Sequence, residues 1–202
     1  MMLADLIHVS GVALLLAGVI WAVTSILHPN NHDPKAFQDR FWVSALAGQG
    51  VSYWLGVLGL VGLYVRQAEQ SGILGLVGFV LAILGSAITI TVNMDMAFLL
   101  PSVAAQQAKP TTVMQLLGPS SPLPWLARIT LMYLLLFVPG YILIGIVTIS
   151  AGVLPGPAGW LLIIGTIVSN IGAPIAKLFI LRRVGGVVFG VGLAWLGLAL
   201  LA

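Results

Sequence analysis

Six runs of apolar residues alternate with short polar breaks along the chain: Leu3–Leu27, Trp42–Tyr64, Ile73–Leu99, Leu126–Ile149, Trp160–Leu181 and Val184–Ala202. An apolar stretch of about 20 residues crosses a hydrocarbon core about 30 Å thick. Each run meets or approaches that length. Backbone polar groups in lipid must be satisfied within a helix or a closed barrel, and these runs lack the alternation of barrel strands. The pattern therefore predicts an all-α fold, a six-transmembrane-helix bundle forming a single domain over residues 1–202.

Turn chemistry marks the breaks. His28-Pro29-Asn30-Asn31-His32-Asp33-Pro34 follows the first run, Gln70-Ser71-Gly72 the second, and Pro155-Gly156-Pro157 precedes the fifth. Gly118-Pro119-Ser120-Ser121-Pro122-Leu123-Pro124 precedes the fourth. The longest and most polar connection runs from Pro101 to Trp125, where Gln106, Gln107, Thr111 and Thr112 suggest a short interfacial helix. Within the runs, small residues recur every fourth position: Ser44, Gly48, Ser52 and Gly56 in the second, Gly78, Ala82 and Ser86 in the third, Gly165, Ser169 and Ala173 in the fifth. Such faces let helix backbones approach closely in lipid. They place the second, third and fifth helices at the bundle centre, with Gly186 and Gly190 of the sixth making an edge contact.

Composition reinforces the membrane reading: 60% of the 202 residues are hydrophobic and 6% charged, with a mean hydropathy of +1.13, far from the roughly 25% charge of a soluble domain. Met1–His8 has no basic segment and carries Asp5, so the first run reads as a retained helix rather than a secretory signal. Seven basic residues (Lys35, Arg40, Lys109, Arg128, Lys177, Arg182 and Arg183) fall in one set of connections and Arg66 alone in the other. Basic residues favour the cytoplasmic side. Both termini are accordingly expected outside the bacterial cytoplasmic (inner) membrane, and the positive charge needs no nucleic-acid partner.

Asp95 is the most unusual residue, an acid at the border of an apolar run. Counting inward from Ile73 places it near the cytoplasmic interface, level with Arg128 and Lys177. An ion pair there is the plainest expectation; with Asn93 the same residues could instead edge a ligand pocket or a proton relay. His28, His32 and Asp33 are candidate zinc ligands by residue type, but Pro29 interrupts the turn that would align the histidines, and a loop that caps the first helix and meets lipid headgroups accounts for them better. His8 and His28 lie about 30 Å apart along one helix at 1.5 Å per residue and cannot clamp one haem. Lys177 fits a snorkelling anchor better than a retinal-linking lysine. The chain has no cysteine, no phosphate-binding loop, no nucleophile elbow and no metalloprotease motif, and no catalytic residue, metal or cofactor is assigned.

His28-Pro29 in the first loop, Leu60-Val61-Gly62-Leu63-Tyr64-Val65-Arg66-Gln67-Ala68-Glu69 leading into Gly75-Leu76-Val77-Gly78-Phe79, and Ala151-Gly152-Val153-Leu154-Pro155 before Ala158-Gly159 give the chain a further likeness. It resembles uncharacterised polytopic membrane proteins of actinobacterial and chloroflexus-like bacteria, a resemblance of packing and turn residues that brings no activity with it. The expected function is that of a membrane accessory or structural protein, a subunit of a larger assembly surrounded by membrane lipids. The rival expectation is a small transporter or binding protein for a lipid, quinone or other apolar solute. A lipid-headgroup enzyme acting through the His28–Asp33 loop has the least support.

Overall fold

The structure is a computed structural model that describes residues 2–118, 121 and 123–202. Its helices are α1 (Met2–Leu27), α2 (Trp42–Met94), α3 (Leu100–Ala105), α4 (Val113–Leu117), α5 (Pro124–Ala151), α6 (Gly156–Gly172) and α7 (Phe179–Leu201), with no strand among the described residues. Four helical stretches, Met2–Leu27, Trp42–Ala105, Pro124–Ala151 and Ala176–Leu201, are long and apolar enough to cross a membrane. Gly156–Gly172 is apolar but shorter. Large apolar side chains such as Val9, Leu16, Leu58, Leu135 and Leu198 are exposed on the outer surface, as a lipid environment requires and water does not tolerate over so wide an area.

The longest stretch is a hairpin rather than a rod. Gly72 has φ 53° and ψ −150°, a conformation open essentially to glycine alone, and the chain reverses there. Residues 42–71 and 73–94 become two antiparallel arms: Tyr64 stacks on Phe79 at 4.7 Å, and at the far end Trp42 Nε1 donates to the Met96 carbonyl at 3.0 Å. After the second arm, residues Asp95–Leu99 form one π turn in which the Leu100 N–H reaches the Asp95 carbonyl. Pro101 accounts for it, since its ring collides with the carbonyl four residues earlier in a regular helix and a wider turn moves that carbonyl away.

Three expected elements fall differently. The fifth run was expected to continue from 160 to 181, but α6 ends at Gly172, because Pro174 cannot donate to the helix and its ring blocks the carbonyl of Asn170. Lys177 therefore lies in a 3-10 turn, Ala176–Leu178, and α7 begins early enough to carry Arg182 and Arg183 in its first turns. The interfacial helix in the long connection starts only at Val113, where Thr112 and Gln115 form a reciprocal cap. In the proline-rich turn before α5, Pro119, Ser120 and Pro122 lie outside the described residues, as does Met1.

The six apolar segments close into a ring in which each packs on two neighbours: α7 on α1, α1 on the first arm of α2, the second arm on α5, α5 on α6, and α6 back on α7. Small residues form the seams. A Cβ on Gly18 would fall 2.4 Å from the Ala194 amide nitrogen and from the Gly190 carbonyl; one on Gly140 would fall 2.4 Å from the Ala82 nitrogen, and one on Gly165 the same distance from the Phe189 nitrogen. This corrects the expected central trio. Gly48 and Ser52 face α1, Gly78 and Ala82 face α5, and Gly165 and Ser169 face α7, so the three helices do not pack on one another through these faces. Gly186 and Gly190 belong to the close α1–α7 seam rather than an edge. A small face says that a neighbour comes near; it does not say which neighbour.

Aromatic side chains fill the middle of the ring. Trp21 meets Tyr53 edge-on at 4.6 Å, Tyr53 meets Phe137 at 5.5 Å, Phe137 meets Tyr141 at 4.5 Å, and Tyr141 meets Phe189 at 4.9 Å. A polar join in this plug, Ser86 Oγ with Tyr141 Oη at 3.1 Å, gives the Tyr141 phenol the partner that burial demands. At one end of the ring lie the Gly72 turn and both chain ends. At the other, the segment 28–41, α4 and the α6–α7 link gather, joined by Met114 N–H donating to the Asn31 carbonyl at 3.3 Å and His32 Nε2 donating to the Ala173 carbonyl at 3.0 Å.

Candidate binding site

Between the aromatic plug and the gathered loops lies a cavity of about 200 Å³. Its floor is Trp21, Tyr53 and Tyr133; Asn31, Met114 and Pro174 lie toward the loop end; Val92, Met96 and Leu134 make apolar wall. An engineered cavity of roughly 150 Å³ holds benzene, so this one is large enough for a ring or a short acyl segment.

Its polar groups come from seven segments of the chain. Tyr133 Oη donates to Asn170 Oδ1 at 2.9 Å, and Asn170 Nδ2 returns to the Thr166 carbonyl at 2.8 Å. Asn93 Nδ2 donates to the Thr89 carbonyl at 2.9 Å, and Thr89 Oγ1 to that of Gly85 at 2.7 Å. Others are left over. Gln49 is fully buried and its Nε2 has no partner; Arg182 Nη1, Trp21 Nε1 and Asn31 Oδ1 are likewise buried and unpartnered. Among the described residues Arg182 makes one long hydrogen bond, Nη2 to Gln49 Oε1 at 3.5 Å, and its guanidinium carbon lies 6.0 Å from the centre of the Phe179 ring. The titratable neighbours that bear on it are Tyr133, Tyr53 and Arg183, with no carboxylate among them.

Arg183, one residue on, has a different fate. Its Nε and Nη2 both donate to the His28 carbonyl, at 3.1 and 2.8 Å, so its fork is spent on backbone. His28 is fully buried, and its Nδ1 faces the Pro29 carbonyl at 2.7 Å. A carbonyl accepts only, so Nδ1 carries the proton and Nε2, which has no partner, is left a bare acceptor. Burial first, then the Arg182 charge and more weakly that of Arg183, hold the His28 imidazole well below its ordinary range, against the opposing effect of the Pro29 hydrogen bond.

No family model, curated protein or solved structure matches this chain. The site has to speak through its own atoms.

Of the expected site residues, Asn93 alone lines the cavity. Asp95 follows it by two positions, which on a helix turns a side chain to the opposite side; its Oδ2 is buried without a hydrogen-bond partner. Arg128 and Lys177 are both exposed, and neither supplies that partner. The histidine loop also differs from expectation. His28 and Asn31 are buried rather than turned to headgroups, while Asp33 caps the Pro34–Gln38 turn by accepting from the Lys35 N–H at 2.9 Å. His28, His32 and Asp33 thus point to three separate partners, and the described residues hold no cluster of three or more metal-ligating side chains. Gln49, Tyr53, Tyr133, Asn170 and Arg182 were missed. The amides inside apolar runs, Gln49 and Asn170, were the available signal, since polar side chains at membrane depth are costly unless they are partnered or used.

Proposed function

We propose that this chain is a six-span protein of the bacterial cytoplasmic membrane whose ring of helices binds a small apolar or amphiphilic solute, in the range of a lipid, a quinone or a similar molecule. The observation that carries this reading is the cavity beside the aromatic plug, apolar over much of its wall yet fringed by buried polar atoms without partners. Interior polar groups are normally satisfied, and convergent unsatisfied ones in an apolar pocket mark a binding site. The cavity favours solute binding over the accessory-subunit role that the sequence alone suggested. Purification in native-lipid nanodiscs, followed by mass spectrometry of extracted small molecules, tests it. A stoichiometric amphiphile is expected; a stoichiometric set of larger subunits with no bound small molecule would restore the accessory role.

The six-span reading takes both arms of the α2 hairpin as spans and α6 as a short one. At 1.5 Å per residue, 17 residues reach about 25 Å, a shortfall that local bilayer thinning accommodates at modest cost. Termini outside, with the loop end of the ring in the cytoplasm, follows from the gathering of Lys35, Arg40, Lys109, Lys177 and the Arg182–Arg183 pair at that end. Single cysteines at Ser71 and Gln107 check it with a membrane-impermeant thiol reagent, since the chain has none of its own. Ser71→Cys should label from outside and Gln107→Cys should not; the opposite result inverts the topology.

A further inference from the structure

We infer that the solute carries a monoanionic oxyanion head, a carboxylate or a phosphodiester, which docks on Arg182 Nη1 with Gln49 Nε2 as the second donor. This deepens the solute-binding reading and rests on it. A guanidinium buried among apolar walls is costly unless an opposite charge and hydrogen-bond acceptors meet it. Among the described residues none does: Nη1 has no hydrogen-bond partner, Nη2 has only the 3.5 Å contact to Gln49 Oε1, the Phe179 ring centred 6.0 Å from the guanidinium carbon bears no charge, and the titratable neighbours are two tyrosines and a second arginine.

The leftover groups around the cavity are mostly donors. Arg182 Nη1, Gln49 Nε2 and Trp21 Nε1 can only give hydrogen bonds, and all three side chains line the same cavity. A neutral quinone or alcohol supplies acceptors but leaves the charge uncompensated. An oxyanion supplies both. The head carries one negative charge because Arg182 is the one cation among the described residues that line the cavity, Arg183 being turned away onto the His28 carbonyl by two hydrogen bonds. The guanidinium fork suits a planar carboxylate or two phosphate oxygens equally well. Val92, Met96 and Leu134 then take the first atoms of the tail, and the cavity's size limits the enclosed part to a head and a ring or short acyl stretch, the remainder lying outside it.

Equilibrium dialysis on the full-length protein in phosphatidylcholine nanodiscs, with empty discs subtracted, tests the assignment using decanoate and decanol as probes. The two share a tail and differ in the charge on the head. Decanoate should bind about ten- to a hundredfold more tightly than decanol, the range expected of a charge-assisted hydrogen bond in place of a neutral one. Arg182→Gln should abolish the preference, Arg182→Lys should keep part of it, and Gln49→Leu should weaken decanoate with little effect on decanol. Because Arg182→Gln could fail to fold, the thermal shift of the unaltered protein is a second readout: decanoate should raise Tm more than decanol does.

Equal binding of the two probes, or a preference that survives in folded Arg182→Gln, overturns the anion assignment while leaving the apolar cavity as a solute site. Binding of neither probe overturns both readings. Loss of decanoate binding in phosphatidylglycerol discs, without competition from inorganic phosphate, supports the assignment with a bilayer phosphodiester as the source of the oxyanion. Undiminished binding in those discs supports it with a free apolar acid.

Discussion

The α1–α7 seam and the Arg182 cavity, to which those two helices lend only Trp21 and Arg182, could hardly be built more differently. In the seam, Gly18, Gly190 and Gly197 bring backbones so close that a single added carbon would meet backbone atoms at 2.4–2.6 Å. The cavity, ringed by side chains from all six apolar segments, leaves about 200 Å³ unfilled, and several of the residues that line it carry buried donors without partners. Lipid supplies no hydrophobic drive between helices. Close seams are what can hold such a ring together, and only a ring held elsewhere can keep a polar hole open.

The largest expected effect comes from breaking the seam. Gly18→Leu should destabilise the protein by about 3 kcal/mol or more, at or beyond the top of the usual overpacking range, because the atoms it meets are backbone and cannot swing aside. Gly50→Ala is the contrasting case: its Cβ would meet only the flexible end of the Met94 side chain, Cε and Sδ, and the loss should stay below about 1 kcal/mol. Unfolding in mild detergent, followed by circular dichroism, measures both. Equal losses would remove the distinction between backbone seams and adaptable contacts.

Next in size is a pH effect at the loop end. The folded protein holds His28 below its ordinary pKa while the unfolded chain titrates near 6.5, so the unfolded state binds more protons on acidification. Stability should be fully present above about pH 7 and fall as pH drops through 6.5 toward the folded value, with a slope of at most about 1.4 kcal/mol per pH unit. His28→Gln should flatten that slope between pH 7 and 5, whatever it does to stability at neutral pH. A slope unchanged by the substitution would assign the acid sensitivity elsewhere.

Two smaller effects sharpen the contrast between satisfied and unsatisfied groups. Tyr141→Phe removes the hydroxyl bonded to Ser86 in the plug and should cost about 0.5–1.5 kcal/mol. Asp95→Asn removes a charge whose Oδ2 has no partner, and should leave the melting temperature unchanged or slightly raised. A clear loss on Asp95→Asn would revive the ion pair with Arg128 or Lys177 that the sequence pattern suggested.

That pattern disclosed the apolar segments because their signal is local: hydropathy and length need no neighbour to be read. It gave the hairpin at Gly72 and a helix starting at Trp42. It misjudged the end of α6, where Pro174 outweighed a run that stays apolar through Leu181. The ring order stayed hidden for a physical reason, since spacing of Gly165 and Ser169 reports the thickness of a contact and nothing of its identity. The cavity was harder still. Gln49, Tyr133, Asn170 and Arg182 converge from four separate segments, and in the sequence Arg182 looks like the twin of Arg183, another cation at a membrane border. Only three-dimensional placement separates the arginine that clasps the His28 carbonyl from the one left facing an empty space.

The reversal at Gly72 bears on how such a chain enters a bilayer. On the proposed topology, the second and third spans have almost no connection to deliver across the membrane: one glycine turns the chain, and the strongly polar freight is confined to Arg66, Gln67, Glu69 and Gln70 just before it. Charged side chains cost roughly 2.5–3.5 kcal/mol each at the centre of a translocating helix, and a hairpin can carry opposite charges such as Arg66 and Glu69 through together. The two arms are thus suited to insert as one unit already folded on itself, with Tyr64 against Phe79, rather than threading one after the other.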